Sequence, residues 1–274
     1  MSAWDQLAAF WLTQWDVHPD RSLLLAGIGL AYVVGLGLRG RLAHERVGTQ
    51  PVWFLLGLGL LALAVQSPLH HLADRYLFSA HMVQHLLLTL VVPPLFLMGT
   101  PGWLVRPLFD PPWFGAPLIR RFGKSPAYTV SAFVVFNLLF SFIHLPTLYD
   151  AAFSNELVHF TAHAVFLVTG LWTWMPLLSP IPEVLPRLPL PGQMLYCFFQ
   201  TIPSTLVGSL VTLSDGVVYQ HYGVGPLQLG VDPLADQQVG GLLMWVVGGT
   251  FFLLLMTVLF FIWADREQKA EPGG

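Results

Sequence analysis

The sequence predicts an all-α fold, a polytopic membrane protein with seven transmembrane helices in one bundle, and three observations carry that reading. Hydrophobic residues make up 55% of the chain and charged residues only 10%, against roughly 25% charged in soluble domains. The mean hydropathy is +0.65. Windows of about 20 residues, the length an α-helix needs to cross a bilayer core, are apolar near 22–38, 51–67, 76–98, 127–145, 156–178, 192–214 and 239–263. The ten-residue alternating strands of a membrane barrel are not evident. The chain thus divides into an external amphipathic segment 1–21, a transmembrane domain 22–263 and a tail 264–274.

In chain order, Trp4, Leu7, Ala8, Trp11, Leu12 and Trp15 follow the i, i+3, i+4 rhythm of one helical face, with Asp5, Gln6 and Gln14 off it. That pattern predicts a helix lying on the membrane surface. No basic start followed by a short apolar core is present there, so a cleavable signal peptide is not expected. The second and third spans flank His70, His71 and Arg75, and the third runs into Pro93-Pro94. The 99–126 connection holds Pro101, Pro107, Pro111, Pro112, Pro117 and Pro126 beside Arg120-Arg121, which predicts a folded interfacial loop. The fourth span closes on His144, and the fifth opens with His159 and His163 and ends at Met175-Pro176. The sixth carries the single cysteine, Cys197, read as a small buried apolar residue. The 215–238 connection, with Tyr219, His221, Tyr222 and Asp232, is long enough to cover a site or meet a partner.

Orientation follows from Lys and Arg, which crowd into alternate connections. Arg39, Arg41 and Arg46 fall in the first, Arg106, Arg120, Arg121 and Lys124 in the third, Arg187 in the fifth, and Arg266 and Lys269 after the last span. Arg21 and Arg75 alone fall in the other set. The positive-inside rule therefore predicts an external N-terminus and a cytoplasmic C-terminus. The formal charge of −3 offers no basic surface for nucleic acid.

On that topology nine of the ten histidines lie on the outer side, His44 being the exception. His81 and His85 form one i,i+4 pair and His159 and His163 another, so each pair points two imidazoles in one direction. Ionisable side chains inside a span are costly and mark function by default. At 1.5 Å per residue the pairs sit at comparable depths, roughly 5 to 13 Å below the outer helix ends, and the returning fourth helix delivers His144 to that level. Five converging imidazoles predict a metal site for zinc, copper or nickel, with the affinity order favouring copper. Met82 and Met244 are either packing residues or soft auxiliary ligands suited to Cu(I). Asp236 is placed to hydrogen-bond a ligand imidazole.

Catalytic signatures are scarce. Neither histidine pair reads HExxH, and no P-loop, GxSxG elbow or dinucleotide fingerprint is present, so a non-catalytic role is expected. Two alternatives stay open. Paired histidines on facing helices also suit a b-type haem, and zinc with Asp236 or Glu156 as base would suit an intramembrane hydrolase.

Several runs carry a family resemblance. Ala80-His81-Met82-Val83-Gln84-His85-Leu86-Leu87-Leu88 with Pro93-Pro94 and Gly99, then Phe136-Asn137 leading to His144-Leu145-Pro146 and Tyr149-Asp150-Ala151-Ala152, come in order. His159, His163, Tyr219, Tyr222 and Asp236-Gln237-Gln238 with Gly240-Gly241-Leu242-Leu243-Met244-Trp245 continue them. From about residue 50 to 263 the chain resembles the multi-spanning CtaG family of cytochrome c oxidase assembly factors, distinct from the single-span copper chaperone of the same name. The resemblance implies a bacterial plasma-membrane protein that assembles a caa-type haem-copper oxidase by supplying or positioning copper. Its partners would be the oxidase subunits and a periplasmic copper donor. A transfer site of this kind should open toward the outer surface, since ligand exchange needs access.

Overall fold

The computed structural model describes residues 10–15, 17–43, 47–109 and 116–270, and every regular element among them is helical. In chain order these are α1 (Pro19–Ala43), α2 (Gln50–Gln66), α3 (Pro68–Arg75), α4 (Phe78–Gly99), α5 (Gly102–Phe109), α6 (Ala116–Gly123), α7 (Pro126–Ile143), α8 (Pro146–Phe153), α9 (Glu156–Leu178), α10 (Leu190–Thr212) and α11 (Pro233–Ala270). Two helices contain a turn of π-helix, Leu87–Val91 in α4 and Leu243–Val247 in α11.

Six helices, α1, α4, α7, α9, α10 and α11, are long and apolar enough to cross a membrane. The second expected span is shorter: α2 has 17 residues and meets α3 at a 43° bend. The break is local chemistry. The Ser67 hydroxyl accepts from the Leu69 N–H at 3.2 Å, and Pro68 at the first helical position suits a new start, not a continuation. The same signals open α7, where Ser125 caps Ala127 ahead of Pro126, and α9, where Asn155 accepts from Leu157 and Val158.

The last helix begins six residues before the expected 239, because Asp232 caps Ala235 at 2.8 Å and Pro233 sits in the first turn. Asp236 therefore lies inside α11, not ahead of it. The described residues of the 99–126 connection include α5 and α6, and Arg106 pairs with Glu183 to tie α5 to the segment before α10. In the N-terminal pattern, Trp15 donates from its indole to the Trp11 carbonyl at 2.8 Å. Trp4, Asp5, Gln6, Leu7 and Ala8 lie outside the described residues, as do His44, Arg46, Pro111 and Pro112.

The central helix is α4. In its apolar window 72% of residues are buried, against 44% in α9 and 11% in α1, so the histidine-bearing helix is enclosed by the others. On one side Gly57 of α2 lets Leu95 and Phe96 of α4 approach. On another Trp174 of α9 donates to the Thr89 carbonyl at 2.8 Å. Deeper in the bundle Leu90, Leu97 and Trp174 pack with Cys197, which is fully buried as expected.

A candidate metal centre of five histidines

Three elements deliver the histidines. His81 and His85 lie in the first turns of α4, His159 and His163 open α9, and His144 is the residue that ends α7. All five rings are buried, with exposures between 2% and 9%. The His81 ring centroid lies 5.5 Å from that of His159 and 5.4 Å from that of His163, which are 4.5 Å from each other. His85 is 4.2 Å from His81 and 5.7 Å from His144. The convergence read from the sequence is thus a triangle of His81, His159 and His163, with His85 linking it to His144.

Hydrogen bonds fix which ring nitrogen faces the cluster. His159 gives Nδ1 to the Asp74 carboxylate at 3.1 Å, and His144 gives Nδ1 to the Phe140 carbonyl at 2.7 Å. The Tyr222 hydroxyl donates to the Ala73 carbonyl, so its oxygen accepts from Nδ1 of His81 at 3.2 Å. Burial raises the Tyr222 phenol well above its ordinary pKa, so that proton stays in place. With Nδ1 committed, Nε2 carries the lone pair. The Nε2 atoms of His144, His159 and His163 are buried without a hydrogen-bond partner. That of His81 meets Nε2 of His85 at 2.7 Å, leaving Nδ1 of His85 unpartnered.

Orphaned buried acceptors are costly, and a metal ion would satisfy several at once. One nitrogen each from His81, His159 and His163 lie within 4.8 Å of one another. An equilateral set of that span holds a central ion at most about 2.8 Å from each nitrogen, so modest ring rotations would close it to the ~2.0 Å of a metal–imidazole bond. The residues fit a three-coordinate metal. The carboxylate–histidine pair of Asp74 and His159 is the usual way such a ligand is oriented.

Asp236 and Glu156 are placed away from the rings. Asp236 meets no imidazole. Its carboxylate accepts from the Phe78 N–H at 2.7 Å, the Ser79 N–H at 3.3 Å and the Ser79 hydroxyl, capping α4 from another helix. The orienting role goes instead to Asp74, which sits in the short outer helix α3. Met82 and Met244 are buried together against Phe78 and Tyr149, and both border a small cavity that His85 also lines. Glu156 pairs with Arg21 at 3.1 Å at the rim and does not face the cluster. Cys197 is far from it, in the core around Trp174.

Access is narrower than the open cavity expected. A polar vestibule of about 210 Å³, lined by His70, Asp74, Arg75, Glu156 and His221, reaches His159. Arg21 spans its floor, donating to Nε2 of His70 at 2.7 Å. The 213–232 connection closes over the rings, with Tyr219 donating to the His144 carbonyl at 2.9 Å and Tyr222 on His81.

The sequence pattern of the cytochrome c oxidase caa3 assembly factors matches residues 30–266. An uncharacterised protein of Mycobacterium bovis and another of Mycobacterium tuberculosis are each 27% identical over 94% of this chain. The chain spans about two fifths of the length of these relatives, the match covering 40% of each. No solved structure matches.

Proposed function

Because this chain belongs to the family of cytochrome c oxidase caa3 assembly factors, we propose that it binds copper as cargo at the histidine cluster and helps deliver it to the oxidase. The observation that carries this reading is the set of buried, unpartnered Nε2 atoms on His144, His159 and His163, beside a His81 whose Nδ1 is already committed. Neutral imidazoles on a membrane helix suit a soft monovalent ion better than a divalent one, since the Asp74 carboxylate on His159 supplies a single balancing charge. The protein's part is to hold His159 through Asp74 and His81 through Tyr222, and to exclude water with the covering loop. Copper, when bound, supplies no reaction here and is passed on by ligand exchange through the vestibule at His159, to which a periplasmic donor and the oxidase subunits would both come.

The reading includes a seven-span chain in the bacterial plasma membrane, with α2 and α3 acting together as the bent second span. The Lys and Arg distribution supports an external N-terminus, which puts the vestibule outside where copper for an oxidase arrives. Metal analysis of the detergent-purified protein, with an absorption spectrum on the same sample, tests it. Copper should co-purify or load to near stoichiometry and fall in the His81→Ala, His85→Ala variant and in His159→Ala, His163→Ala. Unchanged copper in both variants would remove the cluster from the reading. A haem band would move the protein to electron transfer, and zinc with turnover of a peptide or lipid would make it a hydrolase.

A further inference from the structure

Below the histidine triangle, between α4, α7, α9, α10 and α11, lies a cavity of about 40 Å³. Its soft and polar walls are Met82, His85 and Thr89 of α4, Ser204 of α10 and Met244 of α11, and the rest is Leu, Phe and Gly. We propose that this cavity is a second site for Cu(I), bound by the thioethers of Met82 and Met244 and by Nδ1 of His85. The proposal deepens the copper reading above by adding an inner station to the outer histidines.

The ligand chemistry comes first. Met82 and Met244 belong to one buried cluster and are 0% and 3% exposed. His85 is buried, and its Nδ1 has no partner while Nε2 faces His81. The two ring nitrogens diverge, so Nδ1 turns away from His81. The tautomer forced on His81 by Tyr222 makes His85 the donor across the 2.7 Å contact for as long as no outer ion takes the His81 lone pair. His85 therefore carries its proton on Nε2 and a lone pair on Nδ1, the form a metal needs.

The Thr89 hydroxyl donates to the His85 carbonyl and the Ser204 hydroxyl to the Thr201 carbonyl, so both turn only oxygen lone pairs to the cavity, as suits a cation. No carboxylate lines the space, which disfavours a divalent ion. Two thioethers and one imidazole, all neutral, match a monovalent soft cation.

Both π-helical turns of the described residues flank this cavity, which is an independent sign of function. Leu87–Val91 follows His85 directly, and Leu243–Val247 contains Met244. Such turns cost backbone hydrogen bonds and recur at functional sites. The turn in α4 is braced by Thr89, whose hydroxyl bonds the His85 carbonyl, and by the Trp174 indole of α9, which bonds the Thr89 carbonyl. The bulge in α11 changes the register of the helix at Met244 itself.

The test uses the full chain in detergent, loaded with Cu(I) under nitrogen and read by X-ray absorption and metal content. Wild type should show sulfur and nitrogen scattering, and the volume-conserving Met82→Leu, Met244→Leu variant should lose the sulfur shell and half its copper while keeping nitrogen ligands. The His159→Ala, His163→Ala variant should lose the other half and keep the sulfur shell together with the single nitrogen of His85. Sulfur scattering with no effect of the α9 variant would sink the outer reading alone. Nitrogen-only scattering in wild type, or undiminished copper in the methionine variant, would overturn the inner site, and a chain that takes up no Cu(I) would overturn both. Met244→Leu alone, which leaves α4 untouched, guards against a folding defect and should also weaken the sulfur signal.

Discussion

The carboxylate of Asp74 holds His159 by its Nδ1 proton at 3.1 Å, and removing such a partner costs metal affinity about 10- to 100-fold. Asp74→Ala should therefore weaken copper binding by that factor in a chelator-competition titration while the chain stays folded; equal affinity would show that the helix alone orients His159. Tyr222→Phe takes away the acceptor on His81 and should weaken binding less, because the ring keeps its neighbours. The histidines were readable at this scale because i,i+4 spacing and matched depth are arithmetic on the sequence. The orienting groups were not. Asp236 looked suited because it stands near the end of an apolar segment, but which acid meets which imidazole depends on how helices far apart in sequence dock. Asp74 gave a weak signal, an acid four residues after His70 in an outer segment already rich in histidine.

At the scale of elements, α4 starts where it does because Asp236 supplies its missing N-terminal acceptors from α11. Hydrogen bonds to a charged group contribute about 1.5–3 kcal/mol. Asp236→Ala should thus lower the thermal midpoint and loosen the first turn, where His81 sits, so copper binding falls with stability; an unchanged melting curve would mean water replaces the carboxylate. Close approach of α10 and α11 rests on two glycines. A Cβ at Gly208 would lie 2.7 Å from the Trp245 nitrogen, and one at Gly241 would lie 2.7 Å from the Thr212 nitrogen. Gly208→Ala should cost about 1–3 kcal/mol by overpacking, read as a lower midpoint in detergent. Small residues at helix contacts are expected in membranes, yet composition alone could not say which of the 25 glycines do this. Hydropathy windows found the long helices but misjudged two boundaries. The Ser67-Pro68 start and the Asp232-Pro233 start are capping signals that an apolar average ignores.

For the whole molecule, the bend between α2 and α3 decides parity. Six crossings put both ends of the described chain on one side and seven put them on opposite sides. In a Cys197→Ser background, Gln220→Cys should react with an impermeant maleimide in intact cells and Lys124→Cys only after permeabilisation, and a tag after Ala270 should behave like Lys124→Cys. Labelling of both positions from outside would contradict the Lys and Arg asymmetry. That asymmetry was legible because charged side chains in connections are counted directly from sequence. The 43° bend was not, since averaging over the window 51–67 hides the Gln66-Ser67-Pro68 break at its end.

The cap on Phe78 comes from a residue 158 positions later in the chain, and Tyr222 and Met244 arrive just as late. At ~5–20 residues per second of synthesis, roughly 8–30 s separate translation of the first histidine pair from that of the residues that orient and cover it. The early half of the nascent protein therefore presents imidazoles with no lid and no fixed tautomer, and the completed centre appears only when the final helix is inserted. On the proposed copper reading, loading would follow biogenesis in time, and a ribosome stalled near residue 215 would leave a membrane-bound chain unable to retain the ion.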